Sequence, residues 1–293
     1  MTWFLIALVG PLLYASANHI DKILLTKYFK NGGVGTLMLF SSLLSVFVLP
    51  LLYIVDTSVL DVDFSNILIL LLVGILNIAI LWFYFLALKD DEASIVVVFY
   101  QLVPVFGYIL GYFILYEQLS EIQIIAMCII IFGTTIISFE VDSDNKFKVR
   151  HKTIVYMLIA SICWALSSVI FKAVALEENV IRSLFWEHVA LAGFGACLFV
   201  LVKTYRTNFI TAFKENPKKI IGLNFLNESI YITGTIVFSF AYLRAPIALV
   251  LLANSFQTIF VLSIGIFLTI FFPLLTVEKI LAKHIPIDNT KIV

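Results

Sequence analysis

Between residues 220 and 243 the chain is apolar except along one line. Asn224, Asn227, Glu228, Tyr231 and Thr235 fall at i, i+3, i+4, i+7 and i+11, the spacing of one helical face. A carboxylate set among amides and a phenol can take up a proton and can hydrogen-bond a polar solute. A second stretch of this kind is "LFWEHVALAG" (184–193), where Glu187 and His188 stand side by side among apolar residues. Adjacent residues lie about 100° apart on a helix, so the pair does not face one narrow seam squarely. Two readings of it stay open. Glu187 contacts Arg182 or the headgroups, or Glu187 and His188 form a gate or proton relay. Glu228 is the stronger candidate for proton coupling, because it lies about 13–14 Å past Lys219 by helical rise.

These residues matter because of where their helices must sit. The chain is 62% hydrophobic and 13% charged, whereas a soluble domain carries about 25% charged residues. Too little polar surface remains to cover a globule in water. Roughly 20 apolar residues cross a bilayer core, and nine stretches qualify: about 2–20, 33–55, 66–88, 93–116, 119–139, 153–174, 181–202, 220–243 and 246–273. In such a span an ionisable side chain costs at least ~2.5–3.5 kcal/mol, so it faces an aqueous cavity or a partner. The first stretch ends in Ala15-Ser16-Ala17, like a cleavage site, but it has no basic n-region and reads as a retained helix. Cys128, Cys163 and Cys197 lie in apolar runs and imply no disulfide framework.

Sixteen of the nineteen Lys and Arg residues fall in one set of loops and the C-terminal tail. Lys172, Arg182 and Arg244 fall on the other side. The positive-inside rule then puts loops 140–152 and 203–219 in the cytoplasm and the N-terminus outside. The net charge is zero, which gives no reason to expect an acidic partner such as nucleic acid.

The chain also repeats. "YASANHIDK" (14–22) matches "WALSSVIFK" (164–172), and "FLALKDDEASIVVVFYQ" (85–101) matches "FAYLRAPIALVLLANSF" (240–256). Five spans per half is an odd number, so the halves insert in opposite senses. That is a transporter signature, with the substrate site near the midplane. The aromatic-Ala…Lys pairs, Ala93, Pro104-Val105-Phe106, Glu117 and Gly133 occur in the order found in the drug/metabolite transporter superfamily, and the chain resembles its ten-helix EamA-type permeases. The resemblance implies movement of small organic metabolites without ATP hydrolysis. The second copy departs from the pattern. Ile259 stands at the position of Pro104, and the counterpart of Glu117 is Glu278, with no apolar span after it. A tenth helix is therefore expected to be missing, which leaves a face to lipid or to a second subunit in a homodimer.

The expected fold is an all-α polytopic membrane bundle of nine spans: a first repeat (1–139), a cytoplasmic linker (140–152) and an incomplete second repeat (153–293). The expected function is a secondary carrier of small organic molecules in a cell membrane, most simply a bacterial plasma membrane. Its cavity would use Asn224, Asn227, Glu228 and Tyr231, with Trp164, Ser168, Asn254, Gln257, Gln101 and Asn77 from other helices. Asn18, His19, Asp21 and Lys22 read as an interfacial cluster, and Gly107 with Gly111 as a helix-packing pair. No cofactor and no metal site is expected. A membrane-embedded enzyme is the alternative class, but H-E-x-x-H, G-x-S-x-G and P-loop patterns are absent. A non-transporting adaptor is the other alternative.

Overall fold

The computed structural model describes residues 2–29, 33–142, 151–215 and 217–271. Among these residues all regular structure is helical. The first span is α1 (Thr2–Ile23), continued by a π-helical turn (Leu24–Tyr28); α2 (Gly33–Val55) and α3 (Phe64–Asp90) follow. The next is interrupted: α4 (Ala93–Val96), a 3-10 stretch (Val97–Leu102) and α5 (Val103–Ile114). Then come α6 (Glu121–Asp142), α7 (His151–Glu177), α8 (Val180–Leu201), α9 (Lys203–Glu215) and α10 (Pro217–Tyr242). The last described span is again interrupted: α11 (Ile247–Ala253), a 3-10 turn (Asn254–Phe256) and α12 (Gln257–Phe271).

Eight of the nine expected spans are helices long and apolar enough to cross a membrane. The ninth, expected over 119–139, falls on α6, a 22-residue helix. The protein is thus a multi-pass integral membrane protein. Its outer surface carries Leu5, Phe47, Ile54, Phe113 and Phe132, each at least 65% exposed, as a lipid-facing wall should. Residues 143–150 of the linker, and the tail on which the absence of a tenth helix was expected, lie outside the described residues.

One element departs from expectation. The basic segment 203–219 is expected to be a loop, yet residues 203–215 form α9 and α10 begins at Pro217. Tyr205, Phe209 and Ala212 at i, i+4 and i+7 make an apolar stripe. Phe209 lies against Phe40 at 4.2 Å between ring centroids. Tyr205 covers Gly35 so closely that a Cβ there would come within 2.3 Å of its ring. The lysines and Arg206 occupy the remaining positions of the helix, which hides the stripe when the segment is judged on charge alone.

Helix α1 packs against α10 and α12, α2 against α8, α3 against α7 and α8, and α5 against α7 and α11. Two glycines seat α8 against its neighbours. A Cβ on Gly74 of α3 would meet Ala190 Cβ at 2.4 Å and the Glu187 carbonyl at 2.8 Å. A Cβ on Gly195 would meet Ser42 Cβ at 2.9 Å and the Leu43 backbone nitrogen at 3.0 Å. The helices therefore approach to backbone contact on either side of Glu187. Gly107 and Gly111 of α5 instead seat side chains, those of Leu251 and Ile247 of α11.

The two interrupted spans meet at their breaks. Within a membrane, backbone groups released from a helix need protein partners. Gln101 donates to the Ser255 carbonyl at 3.2 Å and to Thr258 Oγ1 at 3.0 Å. Ser161 donates to the Phe99 carbonyl at 3.1 Å. Pro104 opens α5, but the second break forms with Ile259 in place of a proline. A proline is therefore not required for the irregular turn.

Candidate functional site

A cavity lies among α1, α2, α3, α7, α8 and α10, and the 3-10 stretch and α12 each add a residue to its wall. Two hydrogen-bonded groups of carboxylates face it. In the first, Asn77 of α3 donates to Glu187 Oε1 of α8 at 2.7 Å. Ser167 of α7 donates to Asn77 Oδ1 at 2.9 Å, which fixes the amide orientation. In the second, Ser41 of α2 donates to Glu228 Oε1 of α10. The neighbouring Asn227 donates to Asp21 Oδ1 of α1 at 2.6 Å. Tyr84 of α3 donates to Asn18 Oδ1 at 3.0 Å and approaches Asp21 Oδ2 at 3.4 Å. Each carboxylate thus accepts from a helix other than its own.

Aromatic side chains close the wall. Tyr100 meets Trp164 edge-on, with centroids 4.7 Å apart, and stacks on Tyr84 at 6.2 Å. Tyr14 lies 5.2 Å from Tyr231 and 6.1 Å from Trp164. Tyr242 shares a 2.9 Å hydrogen bond with Ser168. Among the described residues the titratable groups on the wall are Asp21, Glu187, His188, Glu228 and five tyrosines (Tyr14, Tyr84, Tyr100, Tyr231 and Tyr242), and no Lys or Arg lines it.

Of the residues expected at a binding site, Asn77, Trp164, Ser168, Asn227, Glu228, Tyr231 and Gln257 line the cavity, as do Glu187 and His188. Glu187 turns inward to Asn77 and away from Arg182. Its neighbour His188 donates from Nδ1 to the Leu184 carbonyl at 2.8 Å. Three other expected residues lie elsewhere. Asn224 is buried and donates to the Ile220 carbonyl of its own helix at 2.8 Å. Gln101 bridges the two helix breaks. Asn254 donates to Gln257 at 2.9 Å. All three spend a donor on the protein and lie off the cavity wall.

The cluster at 18–22 lies inside the bundle. Asn18, His19, Asp21 and Lys22 are all buried, and Asn18 and Asp21 line the cavity. The span runs on through the π-turn to Tyr28, so Asp21 sits only about 8 Å from its middle at 1.5 Å per residue. His19 Nε2 lies 2.9 Å from the Val261 carbonyl and ties α1 to α12. Tyr14, Asn18 and Asp21 fall at i, i+4 and i+7, a stripe readable in the sequence once the helix is known to continue. Ser41, Ser42 and Ser45 of α2 were also missed; serines alone in an apolar run give little signal.

Both cationic helix-end residues point away from the cavity, toward opposite ends of the bundle. Lys22 donates to the carbonyls of Leu88 at 2.6 Å and Asp91 at 2.5 Å, and Thr153 donates to the Asp91 carboxylate. At the other end Lys172 pairs with Glu117 at 2.5 Å and donates to the Ala245 carbonyl at 2.6 Å. The Glu117 carboxylate also accepts from the backbone N–H of Ile247, the first residue of α11, at 2.6 Å.

Arg182 fastens the α2–α3 turn to the α7–α8 turn. It reaches Asp56 at 3.6 Å, Glu178 at 3.5 Å and Ser58 Oγ at 2.7 Å. Hydrogen bonds from the Ser58 hydroxyl and N–H hold the Asp56 carboxyl below the usual carboxylate range, with help from Asn179 and Arg182. Glu178 is lowered too, first by Asn66, then by the Asp63 N–H and Arg182.

The EamA-like transporter family model matches residues 1–139, which run from the start of the chain into α6. No curated protein gives a significant match to the chain.

Proposed function

We propose, from the premise that the chain belongs to the drug/metabolite transporter superfamily, that it is a secondary active carrier of small organic molecules working by alternating access. The observation that carries this reading is the cavity. Three carboxylates from three helices converge in the middle of an apolar bundle, each held by a donor from a facing helix. Glu228 lies about 3 Å from the centre of its span at 1.5 Å per residue, a depth suited to a site reached from either side in turn.

In this reading the halves 1–139 and 153–293 rock against each other about the cavity. The breaks in the two interrupted spans supply places where backbone can bend while Gln101 keeps them together. The Lys22 and Arg182 clusters close opposite ends. Asn77–Glu187 and Asn227–Asp21 join helices of different halves across the cavity, so loading of these carboxylates is coupled to the relative position of the halves. A proton on Glu228 removes the desolvation cost of its carboxylate, which favours a state with the empty site shut from water. Substrate entry in exchange for the proton then couples flux to the proton gradient. The end of the bundle that carries α9 faces the cytoplasm of a bacterial cell in this arrangement.

The test is flux. Proteoliposomes are filled with a deproteinised extract of small metabolites, and mass spectrometry reads which compounds leave. Selective depletion, absent from protein-free vesicles and lost with Glu228→Gln, is the expected result. No selective depletion in either direction of a pH gradient overturns the carrier reading.

A further inference from the structure

The charge on the cavity wall, taken with the carrier reading on which this rests, selects among possible occupants. We propose that the site binds an organic cation, a protonated or quaternary amine carrying an apolar or aromatic group.

Asp21, Glu187 and Glu228 present three carboxylates to one cavity; among the described residues no Lys or Arg lines it, and His188 is its one basic side chain. Lys22 is directed to main-chain carbonyls at a helix end, and Lys172 to Glu117 and the Ala245 carbonyl. Among the described residues, the side-chain hydrogen bonds to these carboxylates come from neutral groups: Asn77, Asn227, Tyr84 and Ser41. Such donors orient a carboxylate but do not neutralise it. Buried charge needs an opposite charge or a proton. An anionic occupant would add to the repulsion, whereas a cation relieves it.

The rest of the wall fits the other part of such a molecule. Tyr14, Tyr84, Tyr100, Trp164, Tyr231 and Tyr242 surround the carboxylates. Aromatic faces attract ammonium groups most strongly where water is excluded. Independent of charge, three polar groups on the wall are left without partners: Asn18 Nδ2, Asn227 Oδ1 and Ser42 Oγ. Their residues are only 6%, 2% and 1% exposed. Buried polar atoms are ordinarily satisfied, so these mark a place prepared for a ligand. Asn227 Oδ1 and Ser42 Oγ can accept from an ammonium N–H. A structural role for the carboxylates alone leaves these atoms unexplained.

The experiment compares three probes of matched size at pH 7: 2-phenylethylammonium, 3-phenylpropanoate and 3-phenylpropan-1-ol. Binding to the full chain in proteoliposomes is read by tryptophan fluorescence, with Trp164 on the wall as the reporter and Trp164→Phe as its control. The expected result is saturable binding of the ammonium compound, at least tenfold tighter than either of the others. Asp21→Asn and Glu228→Gln are each expected to weaken it at least tenfold, while Glu121→Gln at the start of α6 leaves it unchanged. Melting temperature and circular dichroism report whether each variant folds, and the wild-type charge series decides the matter even where one does not. Equal or tighter binding of the anion or the alcohol, or no saturable ammonium binding, overturns the inference. Ammonium binding without any solute flux overturns the carrier reading and keeps the cationic site. Selective flux without ammonium preference does the reverse.

Discussion

Replacing Lys172 should expose how the two halves are held together at one end of the bundle. Lys172 and Glu117 are 6% and 19% exposed at the side chain and 2.5 Å apart. Glu117 reaches this position because α5 ends in a left-handed turn at Tyr116, φ 55°, with the Glu117 N–H returning to the Gly111 carbonyl at 3.1 Å. Lys172→Met leaves the carboxylate, among the described residues, with the Ile247 N–H alone. Breaking a fully buried pair by removing one partner costs about 3–5 kcal/mol, and the residual exposure of Glu117 argues for roughly 2–4 kcal/mol. Glu117→Gln in turn strands the more deeply buried Lys172 ammonium and should cost a similar amount, about 2–4 kcal/mol, although the Ala245 carbonyl still accepts from it. In Lys172→Met/Glu117→Gln no charge is stranded, so the double variant should be more stable than Lys172→Met alone. The coupling expected for residues in contact is about 1–3 kcal/mol. Unfolding of the purified protein in mixed detergent–SDS micelles measures all four corners. A Lys172→Met loss below about 0.5 kcal/mol, or a double variant equal to the sum of the singles, refutes the reasoning.

Gly74→Ala puts a methyl against the Glu187 carbonyl and Ala190, and overpacking of this kind costs about 1–3 kcal/mol; thermal melting should fall accordingly, and a wild-type melting curve refutes the backbone contact. The Arg182 cluster contains two carboxyls lowered in the folded protein, so its contribution is complete above their unfolded values near 4 and is lost as pH falls through the lower folded values. The melting difference between wild type and Arg182→Gln should therefore be steady above about pH 5 and shrink below pH ~4; a difference that grows in acid contradicts this sign. Thr57→Cys and Thr207→Cys should label from opposite sides of the membrane, with Thr207→Cys labelled only from the cytoplasm; labelling of Thr207→Cys from outside intact cells reverses the orientation.

The long spans were legible because a bilayer crossing demands an uninterrupted apolar run, and that demand is written directly in composition. The inward side of each helix was legible only where polar residues recur at helical spacing. Asn227, Glu228 and Tyr231 follow that spacing and reach the cavity. Asn224 follows it as well, but its amide is used by its own backbone, and no pattern distinguishes the two cases. Gln101 was visible as a polar residue in a span. Its purpose depends on a carbonyl 154 positions away, which no local pattern records. Asp21 was misjudged because distance from a lysine stood in for depth, while the helix continues through a π-turn past that lysine. The pairing of Lys172 with Glu117 joins two residues that each stood out alone. Only the packing of α5 against α7 brings them together.

The central claim is that the carboxylates of the cavity exchange protons for solute. Its most direct test uses proteoliposomes with an imposed pH gradient and a radiolabelled form of a solute that the efflux experiment identifies. The account expects the gradient to drive accumulation above the external concentration in wild type. A protonophore should abolish that accumulation, and Glu228→Gln of native melting temperature should show none. Accumulation by Glu228→Gln equal to wild type, still dependent on the pH gradient, would contradict it.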